Sequence, residues 1–154
     1  MNFAFFFPGQ GSQSLNMMAG FDNMAVVKDT FAEASDVLGQ DLWAMMNTDA
    51  QAINDTVNTQ PLMLAAGVAT WRAYQALGGN SPTALAGHSL GEYSALVAAG
   101  SLDFADAVRL VRLRAQLMQE AVPQGAGAMA AILGLDDDAV RAVCAAAEAE
   151  LNGE

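Results

Sequence analysis

Cysteine and histidine each occur once in the 154 residues, as Cys144 and His88. One thiol excludes a disulfide scaffold and a cysteine-built metal site, and a lone histidine far from it cannot complete a metal cluster. Such sparing use of cysteine fits a reducing cytosol, so a cytoplasmic location is expected. Cations are scarce too: 6 Lys+Arg stand against 17 Asp+Glu, for a net charge of −11. That balance opposes binding to nucleic acid and to anionic membrane surfaces. It also makes recognition of any anionic substrate depend on local positive charge, and three of the cations (Arg109, Arg112, Arg114) fall in one helix-like segment. No apolar run approaches the length of a membrane span. Residues 1–7 lack a basic n-region and end at Pro8-Gly9 after a strand's length, so no secretory signal is expected. Charged residues make up only 15% and hydrophobic ones 53%, which excludes disorder and suffices for one domain with a sizeable core. The nine methionines imply adaptable packing and no particular chemistry.

Hydrophobic patterning orders the rest. Asn2 to Phe7 is almost wholly apolar and reads as a central parallel strand buried on both faces. Pro8 to Gln13 is a tight polar loop, with a short helical turn expected after it. Val27, Phe31, Ala34 and Leu38 have helical spacing within Met24 to Leu38, and Gly39 stops that helix. Asp41 to Met46 reads as a short helix. Thr59 is the expected cap of a long helix from Gln60 to Leu77, with Pro61 in its first turn. A strand at Thr83 to Ala86 and a helix at Leu90 to Ala99 follow, and Gly100 ends that helix. Asp103 caps a helix running to about Val122, Pro123 to Gly127 is a loop, and Ala128 to Leu133 is an apolar strand. Asp136-Asp137-Asp138 opens a last helix toward Glu150. Strands separated by helices predict an α/β fold with a largely parallel sheet. The strand at 128–133 has no obvious partner after it, so a fragment of a longer protein is expected.

The chemistry centres on Gly87-His88-Ser89-Leu90-Gly91, a G-x-S-x-G pattern between the predicted strand and helix. In that context it is the sequence form of a nucleophile elbow. Two residues without Cβ let strand and helix approach around a strained serine, and the helix N-terminus behind Ser89 offers free amide N–H groups to an oxyanion. The plainer reading is a serine helix cap in a Gly-rich turn. An oxyanion hole draws one N–H from the residue after the nucleophile, here Leu90, and another from a neighbouring strand-end loop. The loop Pro8-Gly9-Gln10-Gly11-Ser12-Gln13 can supply the second near Gln10. That loop can also be a simple tight turn. Gly9-x-Gly11-x-x-Ser14 approaches a dinucleotide fingerprint as well, with Asp29 as a ribose acid, but lacks the third glycine.

On a helical wheel at about 100° per residue, Arg109, Arg112, Gln116, Gln119 and Glu120 share a polar arc. Phe104, Ala107, Val111, Met118 and Ala121 occupy the other side, and Arg114 falls among them. Arg109 and Arg112 are therefore expected in solvent and Arg114 inward. A buried guanidinium needs an anion: either a permanent partner such as Glu92 or a substrate carboxylate gripped by its planar fork. No base is evident. His88 adjoins Ser89, and adjacent side chains on a sharp turn diverge, so His88 is expected to support the elbow. Glu92 lies one turn along, but carboxylate bases for serine are uncommon.

The strings FAFFFPGQGSQ, NTQPLMLAAGVA, AGHSLGEYSALVAAG, DFADAVRLVRLRAQLMQEAVP and GAMAAILGLDD together resemble the malonyl-CoA–acyl carrier protein transacylase family of type II fatty acid synthesis. They equally resemble the related acyltransferase domains of polyketide synthases. The resemblance covers essentially the whole chain. It implies an α/β-hydrolase-like core with a ferredoxin-like insertion: residues 1–127 would be the N-terminal part of the core, and 128–154 the first strand and helix of the insertion. It implies a ping-pong transfer in which Ser89 takes malonate from malonyl-CoA and passes it to the phosphopantetheine thiol of acyl carrier protein. Gln10 and Leu90 would form the oxyanion hole through their backbone N–H groups, Arg114 would hold the malonyl carboxylate, and Gln60 would line the pocket. No metal or other cofactor is implied.

Family members are considerably longer, and their general-base histidine lies downstream with no counterpart here. The resemblance thus implies a transacylase whose 154-residue portion turns over poorly by itself. The longer form is expected to be monomeric, and the shorter chain to self-associate through uncovered apolar surface. Two other functions fit the same elbow: a serine esterase or thioesterase, and a non-catalytic truncated binding fragment.

Overall fold

The computed structural model describes residues 2–122 and 132–151, in two compact units that divide after Val122. In the first unit the elements follow the order β1 (Ala4–Phe7), α1 (Ala25–Leu38), α2 (Leu42–Thr48), α3 (Thr56–Ala76), β2 (Ala84–Gly87), α4 (Leu90–Ala98) and α5 (Phe104–Ala121). Single turns of 3-10 helix at Ala19–Phe21 and Ala52–Asn54 punctuate the loops. The second unit contains α6 (Asp137–Leu151), whose first turn is capped by the Asp136 carboxylate accepting from Ala139 N at 2.8 Å. Residues 128–131 of the expected strand lie outside the described residues, as does the expected loop at Pro123 to Gly127. Ile132 and Leu133 carry no regular structure.

Among the described residues the sheet consists of β1 and β2, parallel, with Ala4 opposite Ala84 and Phe7 opposite Gly87. A parallel pair needs a crossover, and α1 to α3 supply it. Side chains alternate along β1. Phe5 and Phe7 turn to one face, where the Phe5 ring meets Trp71 edge-on at 5.3 Å between centroids. Phe6 turns to the other and is 73% exposed. The expectation of a strand buried on both faces is therefore corrected. α3 covers one face, and no described element covers the face bearing Phe6.

α3 is the axis of the unit. Its buried residues, from Thr59 to Ala73, point in every direction around the helix, and α1, α4 and α5 pack around it. An apolar run without a polar face is the mark of a core helix. Around it Val27, Phe31, Leu42, Met46, Leu62, Leu64, Val108 and Val111 close one continuous core.

The start of α3 differs from expectation. Its cap is Asp55, whose carboxylate accepts from Val57 N at 3.1 Å, and Thr59 lies one turn inside. The Thr59 hydroxyl bonds back to the carbonyls of Ile53 and Asp55 at 2.7 and 2.8 Å. Pro61 suggests a first-turn position because it lacks an N–H, yet it sits inside the helix and omits one bond to the Val57 carbonyl. Burial of the surrounding residues outweighs that loss. Two other boundaries agree with the sequence reading: Gly39 adopts a left-handed conformation after α1, and Asp103 caps α5 through Asp106 N at 3.1 Å. Replacing the true cap, Asp55→Ala, is expected to lower stability by about 1 kcal/mol, measured by urea unfolding. A loss no larger than that of an exposed polar-to-alanine change elsewhere on α3 would refute the assignment.

Candidate active site

The backbone reverses sharply between β2 and α4, and Ser89 is the residue at the turn. Its dihedrals are φ 52° and ψ −107°, a region that L-residues rarely occupy and that resembles the first central position of a type II′ turn. Two close approaches enforce it. A Cβ on Gly91 would collide with the carbonyl oxygen of Phe7, at the end of β1, and one on Gly87 would collide with the backbone of Gly91. Because both positions are glycine, α4 can start directly over the strand ends. Gly91 N donates to His88 O at 2.8 Å, and His88 N donates to Phe7 O at 3.3 Å, which closes the turn. His88 thus supports the elbow with its backbone, as expected. Its ring is exposed and has no hydrogen bond to Ser89 among the described residues.

The loop at residues 8–13 begins beside this turn, since the Phe7 and Pro8 carbonyls are the atoms that crowd Gly91. The loop is tied to the start of α3: Thr56 Oγ1 donates to Gln10 Oε1 at 2.9 Å, and Gln13 Nε2 donates to Asn54 Oδ1 at 2.9 Å. Gln10 N and Leu90 N have no acceptor among the described residues. A dinucleotide site requires a helix opening directly from the glycine loop. Here α1 starts only at Ala25, and Asp29 lies within it, so the loop does not match that arrangement.

Arg114 reaches into the same place from α5. Its Nη2 donates to Ser89 Oγ at 2.9 Å, and its Nη1 donates to Gln60 Oε1 at 2.7 Å. The guanidinium also lies 5.8 Å from the centroid of the Tyr93 ring, one turn beyond Ser89 on α4. Three elements therefore bring Ser89, Gln60 and Arg114 into one hydrogen-bonded string. Glu92 is exposed and is not bonded to Arg114. Among the described residues no carboxylate lies within ion-pairing distance of Arg114.

The other arginines behave differently. Arg72 pairs with Glu33 at 2.7 Å, and Arg109 and Arg141 pair with acids one turn away on their own helices. Arg112, expected in solvent with Arg109, is instead half-buried. It donates to Gln40 and to Asn58, and desolvation lowers its pKa, partly offset by the nearby charge of Asp55. The wheel missed this because the segment between α1 and α2 and the start of α3 close over that side of α5. Met118 also departs from the wheel: it is 40% exposed, with its sulfur accepting from Gln60 Nε2 at 3.4 Å. Tyr93 and Thr56 were not singled out by the sequence. Each acts on a residue of a different element, for which local spacing carries no signal.

An exposed serine hydroxyl on a strained turn, bonded to a guanidinium with no acid partner among the described residues, suits attack on an acyl group carrying its own anion. The strain is measurable. Ser89→Gly is expected to be more stable than Ser89→Ala by about 1 kcal/mol, since both lose the hydroxyl and only alanine keeps the strained backbone. An alanine variant more stable than the glycine variant, as at an ordinary backbone position, would mean that the turn is unstrained.

The acyl transferase domain family matches residues 4–150. The malonyl CoA-acyl carrier protein transacylase of Salmonella typhimurium is 57% identical over 144 residues, 92% of this chain and 47% of that protein. An acyl carrier protein S-malonyltransferase from Vibrio cholerae superposes with a TM-score of 0.85 at 58% identity, over 96% of this chain and 49% of the other. The malonyl-transacylase solved in complex with its type II PKS acyl-carrier protein is also 58% identical, with a TM-score of 0.85, over 90% of this chain and 45% of that one. The chain thus spans about half the length of these relatives. With a nucleophile elbow, a parallel α/β sheet and a family match over nearly its whole length, the chain belongs to the acyl transferase domain family.

Proposed function

We propose that this chain carries the acyl-loading portion of a malonyl-CoA–acyl carrier protein transacylase of fatty acid synthesis. The observation that carries the reading is Arg114, a half-buried cation without an acid partner among the described residues, donating to Ser89 Oγ at 2.9 Å. A guanidinium so placed can take the free carboxylate of a malonyl group in two parallel hydrogen bonds while the thioester carbon lies over the serine. In a chain of net charge −11 it provides the local attraction that an anionic acyl donor needs.

Ser89 Oγ then attacks the thioester carbonyl carbon and gives up its proton. The negative charge on the carbonyl oxygen is taken by the backbone N–H groups of Gln10 and Leu90, and the lack of acceptors for them among the described residues supports that role. The C–S bond breaks, CoA leaves as the thiol, and malonate remains as an ester on Ser89. The phosphopantetheine thiol of acyl carrier protein attacks that ester, takes the malonyl group, and returns the hydroxyl. No metal or organic cofactor takes part. In this reading residues 1–127 belong to the acyltransferase core, residues 128–154 open a ferredoxin-like insertion, and the reaction takes place in the cytoplasm. Among the described residues no helix is long and apolar enough to cross a membrane.

Serine nucleophiles ordinarily use a histidine base. The single histidine here is His88, whose ring is not bonded to Ser89. Acylation of the 154-residue chain by itself is therefore expected to be slower than in a relative of full length by at least about a hundredfold. Intact-mass spectrometry after incubation with malonyl-CoA should show one malonyl group arriving slowly, and none on Ser89→Ala. Equal labelling of the two proteins would overturn Ser89 as the nucleophile.

A further inference from the structure

Gln60 is fully buried, and both ends of its amide are engaged. The oxygen accepts from Arg114 Nη1 at 2.7 Å, and the nitrogen donates to Met118 Sδ at 3.4 Å. A guanidinium can only donate and a thioether sulfur can only accept, so one orientation of the amide satisfies both neighbours. Each end of the amide thus meets one neighbour of fixed character, and at 0% exposure Gln60 acts through those neighbours. What it does is hold one arm of the Arg114 fork while the other arm lies at Ser89.

The neutrality of that hold is its informative property. A half-buried arginine is ordinarily balanced by a carboxylate, as Arg72 is by Glu33 in this same fold. A glutamate at position 60 would accept the same hydrogen bond and also cancel the charge. An amide fixes the direction of the fork and leaves the charge in place, and the Tyr93 ring, 5.8 Å away, adds attraction without neutralising it. Resting on the transacylase reading above, we infer that Gln60 is a positioning residue that sets acyl-donor specificity. It aligns Arg114 through a neutral acceptor, so that the full positive charge meets the carboxylate of the acyl group.

Malonyl-CoA and acetyl-CoA differ by that carboxylate, and their binding to the chain can be compared by isothermal titration calorimetry alongside thermal unfolding. The unaltered chain is expected to favour malonyl-CoA by about tenfold. Gln60→Glu should abolish the preference, weakening malonyl-CoA about tenfold more than acetyl-CoA. Gln60→Leu keeps the charge on Arg114 but loosens its aim, and should lower the preference by about threefold. A preference undiminished in Gln60→Glu would overturn the proposal, as would an equal weakening of both esters, which is the signature of a merely structural role. Should Gln60→Glu fail to fold, Gln60→Leu decides: a reduced preference supports the role and an unchanged one refutes it. If the unaltered chain itself does not distinguish the two esters, the transacylase reading fails first and the role of Gln60 falls with it.

Discussion

The backbone of α4 rests against the carbonyl ends of β1 at Gly91, with no side chain between them, and the rest of the site follows from that contact. Because Gly91 has no Cβ to strike Phe7 O and Pro8 O, the helix can begin with only two residues between it and the strand it follows. Ser89 must then take a positive φ, and its hydroxyl is left exposed at the turn. The same contact sets the Gln10 loop beside the elbow, since that loop continues directly from Pro8. Gly87 completes the arrangement, because a Cβ there would strike Gly91. The exposed serine hydroxyl, the helix N-terminus behind it and the neighbouring loop are thus brought together by one close packing between strand and helix.

Charge is the second organising factor. Acids outnumber cations almost three to one, 17 against 6, yet Arg114 has no acid partner among the described residues. Its neighbours are an amide oxygen, a hydroxyl oxygen and an aromatic ring. Arg112 shows the contrasting use of the same side chain. Its bonds to Gln40 and Asn58 tie the segment after α1 to the start of α3, while burial disfavours its charge and Asp55 restores part of the balance. Two arginines two residues apart on α5 thus serve different ends, one joining elements of the scaffold and the other facing the serine.

Much of the architecture was legible in the residues. Gly39, Gly100 and Asp103 mark helix ends because glycine tolerates a left-handed backbone and aspartate satisfies free amides, and the structure uses all three in that way. The G-x-S-x-G pattern located the elbow, and helical spacing turned Arg114 inward. The failures share one origin. Pro61 carries a local start signal, but the core around α3 accommodates it inside the helix. Arg112 lies on the polar arc of its helix, but other elements close over it. Phe6 belongs to an apolar run that suits a two-sided core, which the described residues do not build.

The sequence by itself determined the features that depend on neighbours along the chain: caps, stops, the alternation of strand and helix, and the serine turn that its two glycines permit. These involve backbone sterics and hydrogen bonds within a few residues. Only the tertiary structure decided which side chains meet: Gln60 of α3 with Arg114 of α5, Arg114 with Ser89 before α4, and Thr56 with Gln10. Such pairings span separations of 54, 25 and 46 residues. Their geometry comes from how helices pack around α3, and no local periodicity encodes it.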